Sequence, residues 1–595
     1  MIEIPEPPLS RADCTKLAAE IVRSPPRDWT RLRLAVIGSS TTEFLNSFLI
    51  VEAARFEILL DIWNGPYGQI EQQCVDPGSE LYRNRRDVVL ILPELEELSP
   101  DLAWRYLALS SDELERQVRD TAERLRSVVE AVRLQGNPKI LIGNLPAPPW
   151  KAAGLADAMV ENSLEVILRS VNDRIAQFCR IVSGAAIFDV HGLGCETGWK
   201  NWRDSRMAAL ARAPYSSEAM SAIARLAARH FRSWSGVPKK CLVLDMDDTL
   251  WGGVLGELGR DGIHLGPDYP GNVFVDFQRR LLALSDRGVL LAAASKNNAA
   301  NVEVVLSTHP ACLLKREHFS AFEVHWEDKA TSLRRIADAL NIGLDSIVFF
   351  DDNPVEREWV KAQLPAVTVI EVPKSPLLYG ETLEQSLVFD HFTLTDEDKI
   401  RVNFYQQEEA RSLVRAGATS LESFIRSLEM VVTLGNFEEA QLPRIVQLLA
   451  KTNQFNLTTR RHDEAQLARM LQEGALGMLA RVSDRFGDSG LVGLAIAVPD
   501  TVDDWVVDTF LMSCRVIGRG VETALLAGLE RQVRQCGGRT LHGVFHPTAK
   551  NQPAADFYPR HGYQGSSDPG RWYLSLDERR PMPETFAVAG LNFEP

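Results

Sequence analysis

The chain of 595 residues is about four times the ~150 residues of a typical domain, so several hydrophobic cores are expected. Hydrophobic residues at 45% and charged residues at 24% lie near the averages for folded proteins, which excludes a wholly disordered or collagen-like chain. With 65 basic and 80 acidic side chains the net charge is −15, which weighs against a surface that coats nucleic acid or an anionic membrane.

The opening residues, MIEIPEPPLSRAD, lack the basic segment and apolar core of a signal peptide. No apolar run approaches the ~20 residues that span a bilayer. The expectation is a cytoplasmic protein with neither nucleic acid nor membrane among its partners. Eight cysteines without a CxxC pair or Cys/His metal spacing predict reduced thiols and no structural zinc.

In chain order, strand-like runs at residues 32–37, 88–92 and 140–142 alternate with helical patterns, the rhythm of a parallel α/β sheet. The pattern breaks at residues 213–217, which places a first boundary there. Buried-strand runs at 241–244, 289–294 and 347–350 form a second α/β block that closes near Pro373 and Pro376. Residues 377–429 read as a helical, polar connector. A final block with strands at 506–511 and 540–545 alternates strands and helices. The expected domains are therefore 1–215, 216–376, the connector 377–429, and 430–595, in a multidomain α/β protein.

The string LVLDMDDTL ends an apolar strand with Asp245 and Asp247, two positions apart. At the carboxyl end of a parallel strand such groups emerge into the crevice where ligands bind. One carboxylate there can attack phosphorus while the other protonates the leaving group and later activates water. Ser295, after another strand run, offers a hydroxyl to a phosphoryl oxygen, and Lys329 offers a positive charge. Asp351 and Asp352, after a third run, are hard oxygen donors suited to Mg²⁺.

These residues resemble the HAD superfamily of aspartate-nucleophile phosphotransferases over residues 239–372. The strings DMDDTLWGGVLGE and FFDDNPVERE resemble its FkbH-like branch. The resemblance implies that Asp245 is the nucleophile, Asp247 the acid/base, and Ser295 and Lys329 phosphate ligands. It implies a Mg²⁺ site built from the carboxylates Asp245, Asp247, Asp351 and Asp352, with the last two left as alternatives. Asp245 and Ser295 lie only 50 positions apart, which leaves no room for a large inserted lid and predicts a minimal cap.

In the last block, Arg515, Gly518, Arg519 and Gly520 form RxxGxG between a strand and an apolar helix, an arrangement that presents backbone N–H groups to a phosphodiester. With Asn551, Ala555, Phe557 and Tyr558, the block resembles GNAT acyltransferases, which implies binding of CoA or of a carrier's phosphopantetheine arm. Tyr558 is either a proton donor or a core tyrosine. Asn453, Gln454 and Asn456 either line a ligand channel or form turns. Cys514, just before the glycine loop, is either an acyl-carrying nucleophile or a small apolar filler.

The FkbH-like resemblance implies loading of a glyceryl unit from 1,3-bisphosphoglycerate onto an acyl carrier protein, with dephosphorylation, for polyketide-type biosynthesis. The rival is a phosphatase fused to an acetyl-CoA-dependent N-acetyltransferase. Finally, Gly38-Ser39-Ser40, Gly65, Gly143-Asn144 and Asp189 with His191 stand in the order of SGNH-hydrolase blocks. That resemblance implies a flavodoxin-type fold with Ser39 or Ser40 as nucleophile, Gly65 and Asn144 as oxyanion donors, and His191 as base. Asp189 stands two residues before His191 instead of three, which favours a degenerate fold that docks the carrier.

Overall fold

The computed structural model describes residues 4–5, 9–148, 150–235, 239–390, 407, 411, 414–415, 417–438, 441–452, 455–513, 516–548, 551–566, 568 and 570–590. The described residues up to 235, with 387–390, form one compact unit, and the others form a second. Among the described residues no helix is long and apolar enough to cross a membrane.

In the first unit, β1 (Thr30–Gly38), β2 (Ile58–Asn64), β3 (Val88–Leu92), β4 (Lys139–Gly143) and β5 (Ala185–Phe188) form a parallel sheet of order β2-β1-β3-β4-β5. This is a flavodoxin-type order. Alternate residues of β1 feed two cores: Leu32, Leu34 and Val36 pack in one, Ala35 and Ile37 in the other. The first core takes α1 (Arg11–Arg23) and α2 (Asn46–Ala54); the second takes α3 (Ser111–Gly136) and α4 (Leu164–Ile181). The start of α3 is fixed by a capping box between Ser110 and Glu113, and its end by Asn137 in the left-handed conformation. A short helix, α5 (Val190–Thr197), follows β5.

Helix α6 (Ser217–Ser235) corrects the expected boundary. Its apolar stripe, Ala219, Ile223, Ala227 and Phe231, completes the first core, so this helix closes the N-terminal unit instead of opening the next domain.

The second unit contains two sheets. One is parallel, β10-β9-β6-β7-β8, built from β6 (Cys241–Leu244), β7 (Leu290–Ser295), β8 (Phe319–Val324), β9 (Ile347–Phe350) and β10 (Thr368–Val369). The residues of β6, β7 and β9 are all buried, as expected of strands covered on both faces. Helices α7 (Gly271–Asp286), α8 (Lys329–Ala339) and α9 (Pro354–Gln363), with a further helix at Ala299–Thr308 between β7 and β8, connect them. Between β6 and α7 the chain forms a one-turn helix, Leu255–Leu258, and isolated bridges from Asp247 to Trp251 and from Gly252 to His264, which is the minimal cap expected.

The other sheet runs β17-β18-β16-β15-β14-β13-β11-β19. Its strands are β11 (Val431–Asn436), β12 (Phe455–Asn456), β13 (Leu476–Asp484), β14 (Gly487–Pro499), β15 (Asp504–Met512), β16 (Thr540–Val544), β17 (Gln564–Gly565), β18 (Arg571–Ser575) and β19 (Ala587–Ala589). The centre, β13 to β15, is antiparallel, whereas β15 and β16 pair in parallel. Helices α10 (Leu442–Lys451), α11 (Glu464–Gln472), α12 (Val521–Gln535) and α13 (Phe557–Arg560) complete this mixed α/β domain. Of the expected connector, a helix at Tyr379–Gln385 and another at Leu421–Ser427 are described.

Candidate active site

Strand register assembles the phosphoryl-transfer residues. Leu244 pairs with Ala293 on one side and with Phe350 on the other, so Asp245 continues β6 between Ala294 and Asp351, with Ser295 one step beyond. The Asp245 N–H donates to the Phe350 carbonyl at 3.1 Å and keeps this register past the strand end. One acidic oxygen from each of Asp245, Asp351 and Asp352 falls within 4.8 Å of the others.

Lys329 supplies the opposing charge from the first turn of α8. It is 3% exposed, and its Nζ donates to Asp245 Oδ1 at 2.5 Å and to the Ala294 carbonyl at 2.6 Å, with Asp351 Oδ2 at 3.1 Å. Burial disfavours its charge, but Asp245 and Asp351 outweigh that and raise its pKa. Burial pushes Asp351 up to about 6, with the Asp245 charge adding to the shift. Burial and the neighbouring carboxylates push Asp352 up to about 7. Three crowded carboxylates with one ammonium are short of positive charge, and their hard oxygens fit Mg²⁺.

Asp247 departs from the expectation for a metal ligand. Its Oδ1 accepts from Trp251 Nε1 at 2.9 Å and from the Leu255 N–H at 3.1 Å, and its Oδ2 from Asn297 Nδ2 at 3.0 Å. The side chain is thereby held out of the three-carboxylate cluster. Burial raises its pKa, which suits a group that carries a proton. Its neighbour Asp248 takes a positive φ of 52° and accepts from the Gly253 N–H at 2.6 Å, which turns the chain away after Asp247. Ser295 is buried at the end of β7, and its carbonyl accepts from the His325 N–H.

Sequence reasoning missed Trp251 and Asn297, although Trp251 stands inside a quoted motif and Asn297 two residues after Ser295. It also missed Tyr379, whose hydroxyl donates to the Asp248 carbonyl at 3.1 Å and whose ring packs edge-on to Phe350. No local pattern marks that tyrosine, which belongs to the expected connector.

In the C-terminal domain Gly518 and Gly520 have φ of 76° and 84°, and Gly520 caps α12. Cys514 and Arg515, like Asn453 and Gln454, lie outside the described residues. Two other expectations change, and of the two alternatives for Tyr558 the structure shows the core tyrosine. Arg519 is 7% exposed with its guanidinium 4.0 Å from Asp484, so its charge is engaged within the fold. Asn551 is fully buried: its Nδ2 donates to the carbonyls of Asn456 and His546, and its Oδ1 accepts from Thr548, so it locks loops in place of contacting a ligand. Tyr558 is a core tyrosine, 1% exposed and stacked on Trp572, with its pKa raised by burial. Its ring fills the space where a Cβ on Gly543 would sit, 2.3 Å away.

The strand edge is also occupied. Segment β12 pairs with β15 through Phe455 and Met512, Asn456 and Leu511, and the Leu457 carbonyl accepts from the His546 N–H just past β16. Residues 455–458 thus fill the gap where β15 and β16 separate, and an extended arm laid there would have to displace them. At the glycine loop, the Glu522 carboxyl turns back onto the N–H groups of Gly520 and its own residue, with its pKa raised by burial.

In the N-terminal unit the hydrolase relay is not assembled. Asp189 caps α5 through the Gly192 N–H at 2.9 Å and accepts from Asn144 Nδ2 at 2.6 Å, so it orients Asn144 and not the His191 ring. His191 Nδ1 is buried without a hydrogen-bond partner, and its ring lies 5.6 Å from that of Trp199. Gly65 follows β2, its N–H bonded to the Val36 carbonyl. Ser39 and Ser40 are buried, and Ser39 Oγ accepts from the Glu94 N–H at 3.0 Å.

No curated protein matches the sequence. A similar solved structure is the N-terminal part of the protein BF1531 from Bacteroides fragilis, described as containing a phosphatase domain and complexed with Mg. It is 28% identical, covers 63% of this chain and 97% of its own, and has a TM-score of 0.54. A putative GNAT-family acetyltransferase from Desulfovibrio desulfuricans is 18% identical over 24% of this chain and 99% of its own, with a TM-score of 0.19. Rv2747 from Mycobacterium tuberculosis, in complex with CoA and NLQ, is 17% identical over 22% of this chain and 70% of its own, with a TM-score of 0.18. At those scores the last two carry no argument about activity. Residues 33–228 match the family model for the FkbH N-terminal domain. Residues 33–228 of this chain are thus similar to the FkbH N-terminal domain, the chain is similar in fold over 63% of its length to the phosphatase-containing part of BF1531, and a mixed α/β domain stands at its C-terminal side.

Proposed function

We propose that the protein takes the glyceryl unit of 1,3-bisphosphoglycerate onto the phosphopantetheine thiol of an acyl carrier protein and removes the C3 phosphate. The observation that carries this reading is the convergence of Asp245, Ser295, Asp351 and Asp352 at adjacent strand ends, with Lys329 reaching them from α8. Asp245 Oδ attacks phosphorus and the ester oxygen leaves with the proton held by Asp247; Asp247 then takes a proton from the water that hydrolyses the aspartyl phosphate. Lys329 and Ser295 hold the phosphoryl oxygens, while Trp251 and Asn297 fix the Asp247 carboxyl. Asp245, Asp351 and Asp352 would hold Mg²⁺, which supplies positive charge to the transferring phosphoryl group.

At C1 the donor is an acyl phosphate, which a thiolate attacks with departure of phosphate. Cys514 is proposed to hold the glyceryl group before the carrier's thiol does. Intact-mass measurement of a carrier protein after incubation with the protein, 1,3-bisphosphoglycerate and Mg²⁺ tests the scheme. A glyceryl gain on the carrier is expected, lost in Cys514→Ser, and a phosphorylated gain is expected with Asp245→Asn. An acetylated amine formed from acetyl-CoA, with no gain on the carrier, would instead establish the acetyltransferase fusion.

A further inference from the structure

The C-terminal domain holds a second group of chemistry-bearing residues where β15 leaves β16. The two strands pair only through Asp504 and Thr540, Trp505 and Leu541, Val506 and His542. On the other edge of β15, Thr509 faces Ile496 and Val507 faces Ala497, so Asp508 is the extra residue of a bulge. Its carboxylate is buried at 5% exposure and accepts from His462 Nε2 at 2.7 Å, from Thr509 Oγ1 at 2.9 Å and from the Arg460 guanidinium. Burial opposes its charge, but the bonds from His462 and Thr509 and the charge of Arg460 hold its pKa below the usual value.

His462 is brought there by a locked segment. Asn551 holds the Asn456 carbonyl, Thr458 Oγ1 donates to the Asp508 carbonyl at 2.8 Å, and Thr459 turns the chain with a φ of 54°. Asp463, the next residue, caps α11. An ionised carboxylate on Nε2 requires the neutral imidazole to carry its proton there, which leaves the lone pair on Nδ1. Among the described residues Nδ1 makes no hydrogen bond, and the side chain keeps 15% of its surface exposed. A buried carboxylate behind an imidazole with a bare outer nitrogen is the arrangement of a general base.

We propose that His462, positioned by Asp508, accepts the proton of the carrier protein's phosphopantetheine thiol as that thiol takes the acyl group. This assignment rests on the acyl-transfer reading given above. The thiol proton passes to Nδ1 and the sulfur electron pair forms the C–S bond to the acyl carbon. The bond to the departing phosphate or thiolate breaks with its electrons on the leaving group, and a departing thiolate takes the proton back. Among the described residues the charges paired at the imidazole are Asp508, on its Nε2, and Arg460, on Asp508, with Arg461 and Asp463 flanking it in sequence.

The test is single-turnover transfer from 1,3-bisphosphoglycerate with Mg²⁺ to a holo carrier protein, followed across pH in the full chain. His462→Gln is expected to lower the rate on the order of 10²- to 10⁴-fold and to abolish the acid limb of the rate profile. Phosphate release from a small phosphomonoester should be unchanged, and added imidazole should restore part of the lost rate. Asp508→Asn, which leaves the imidazole in place, should lower the rate less and move the acid limb. Transfer by His462→Gln at the parent rate, or a loss with the acid limb intact and no imidazole rescue, would overturn the assignment while leaving the acyl-transfer reading standing. No transfer by the parent protein would overturn both.

Discussion

Replacing Lys329 by Met tests the electrostatics of the phosphoryl site most directly. The ammonium is 3% exposed and bridges Asp245, Asp351 and the Ala294 carbonyl. Methionine keeps the volume and removes the charge. Breaking a buried ion pair from one side costs about 3–5 kcal/mol, since the abandoned carboxylates stay buried. For a domain of ~150–250 residues, at about 2–4 °C per kcal/mol, that corresponds to a fall of about 6–20 °C in unfolding temperature. The loss must depend on pH. Asp351 and Asp352 already have pKa values raised to about 6 and about 7, so their protonated forms stabilise the fold fully below the ordinary carboxylate value. That contribution fades as pH rises through 6 and 7, and without Lys329 it fades more steeply. Thermal unfolding with and without Mg²⁺, at pH values on either side of that window, measures it. The gap between Lys329→Met and the parent should be wide on the alkaline side, narrow on the acid side, and reduced by Mg²⁺, which takes the place of the lost cation. An equal gap at both pH values, or no gap, would refute the charge accounting.

Other substitutions separate the parts of the molecule. Asp245→Asn should reduce Mg²⁺-dependent phosphate release by at least about 10³-fold while the protein stays folded, as judged by its unfolding temperature. Asn551→Ala should cost on the order of 3 kcal/mol and speed amide hydrogen exchange at Leu457 and His546, because every polar atom of that buried amide is engaged, and should leave phosphomonoester hydrolysis intact. Glu94 has its pKa pushed up to about 7 by burial and the Glu96 charge, against Arg203. The stability it contributes is therefore full below the ordinary glutamate value and is lost as pH rises through about 7. Glu94→Gln should flatten that slope in the pH dependence of N-terminal unfolding.

What was legible in the sequence follows from how local the signal is. Asp245, Ser295 and Asp351 each end a run of consecutive apolar residues, so strand ends and the convergence of parallel strands placed them together. The boundary near residue 215 was misplaced because a break in periodicity marks the start of a helix and not which core that helix covers; Ala219, Ile223 and Phe231 pack against the N-terminal sheet. Asp247 and Asn551 were assigned by motif position, whereas their roles depend on which way the side chain turns, set by Trp251, Leu255 and Asn297 in one case and by Asn456 and His546 in the other. The contact of His462 with Asp508 spans 46 positions and leaves no periodic trace.

The strand wedged between β15 and β16 imposes an exchange rule on whatever enters there. An incoming arm gains amide and carbonyl partners only as residues 455–458 give up theirs, so main-chain bonding nearly cancels and leaves little net affinity in that groove. Residence would then be governed by the tethered cargo and by the macromolecule bearing it, with rapid departure once delivery is complete. Under the proposed loading of a carrier protein, a berth that refills itself would suit successive carriers.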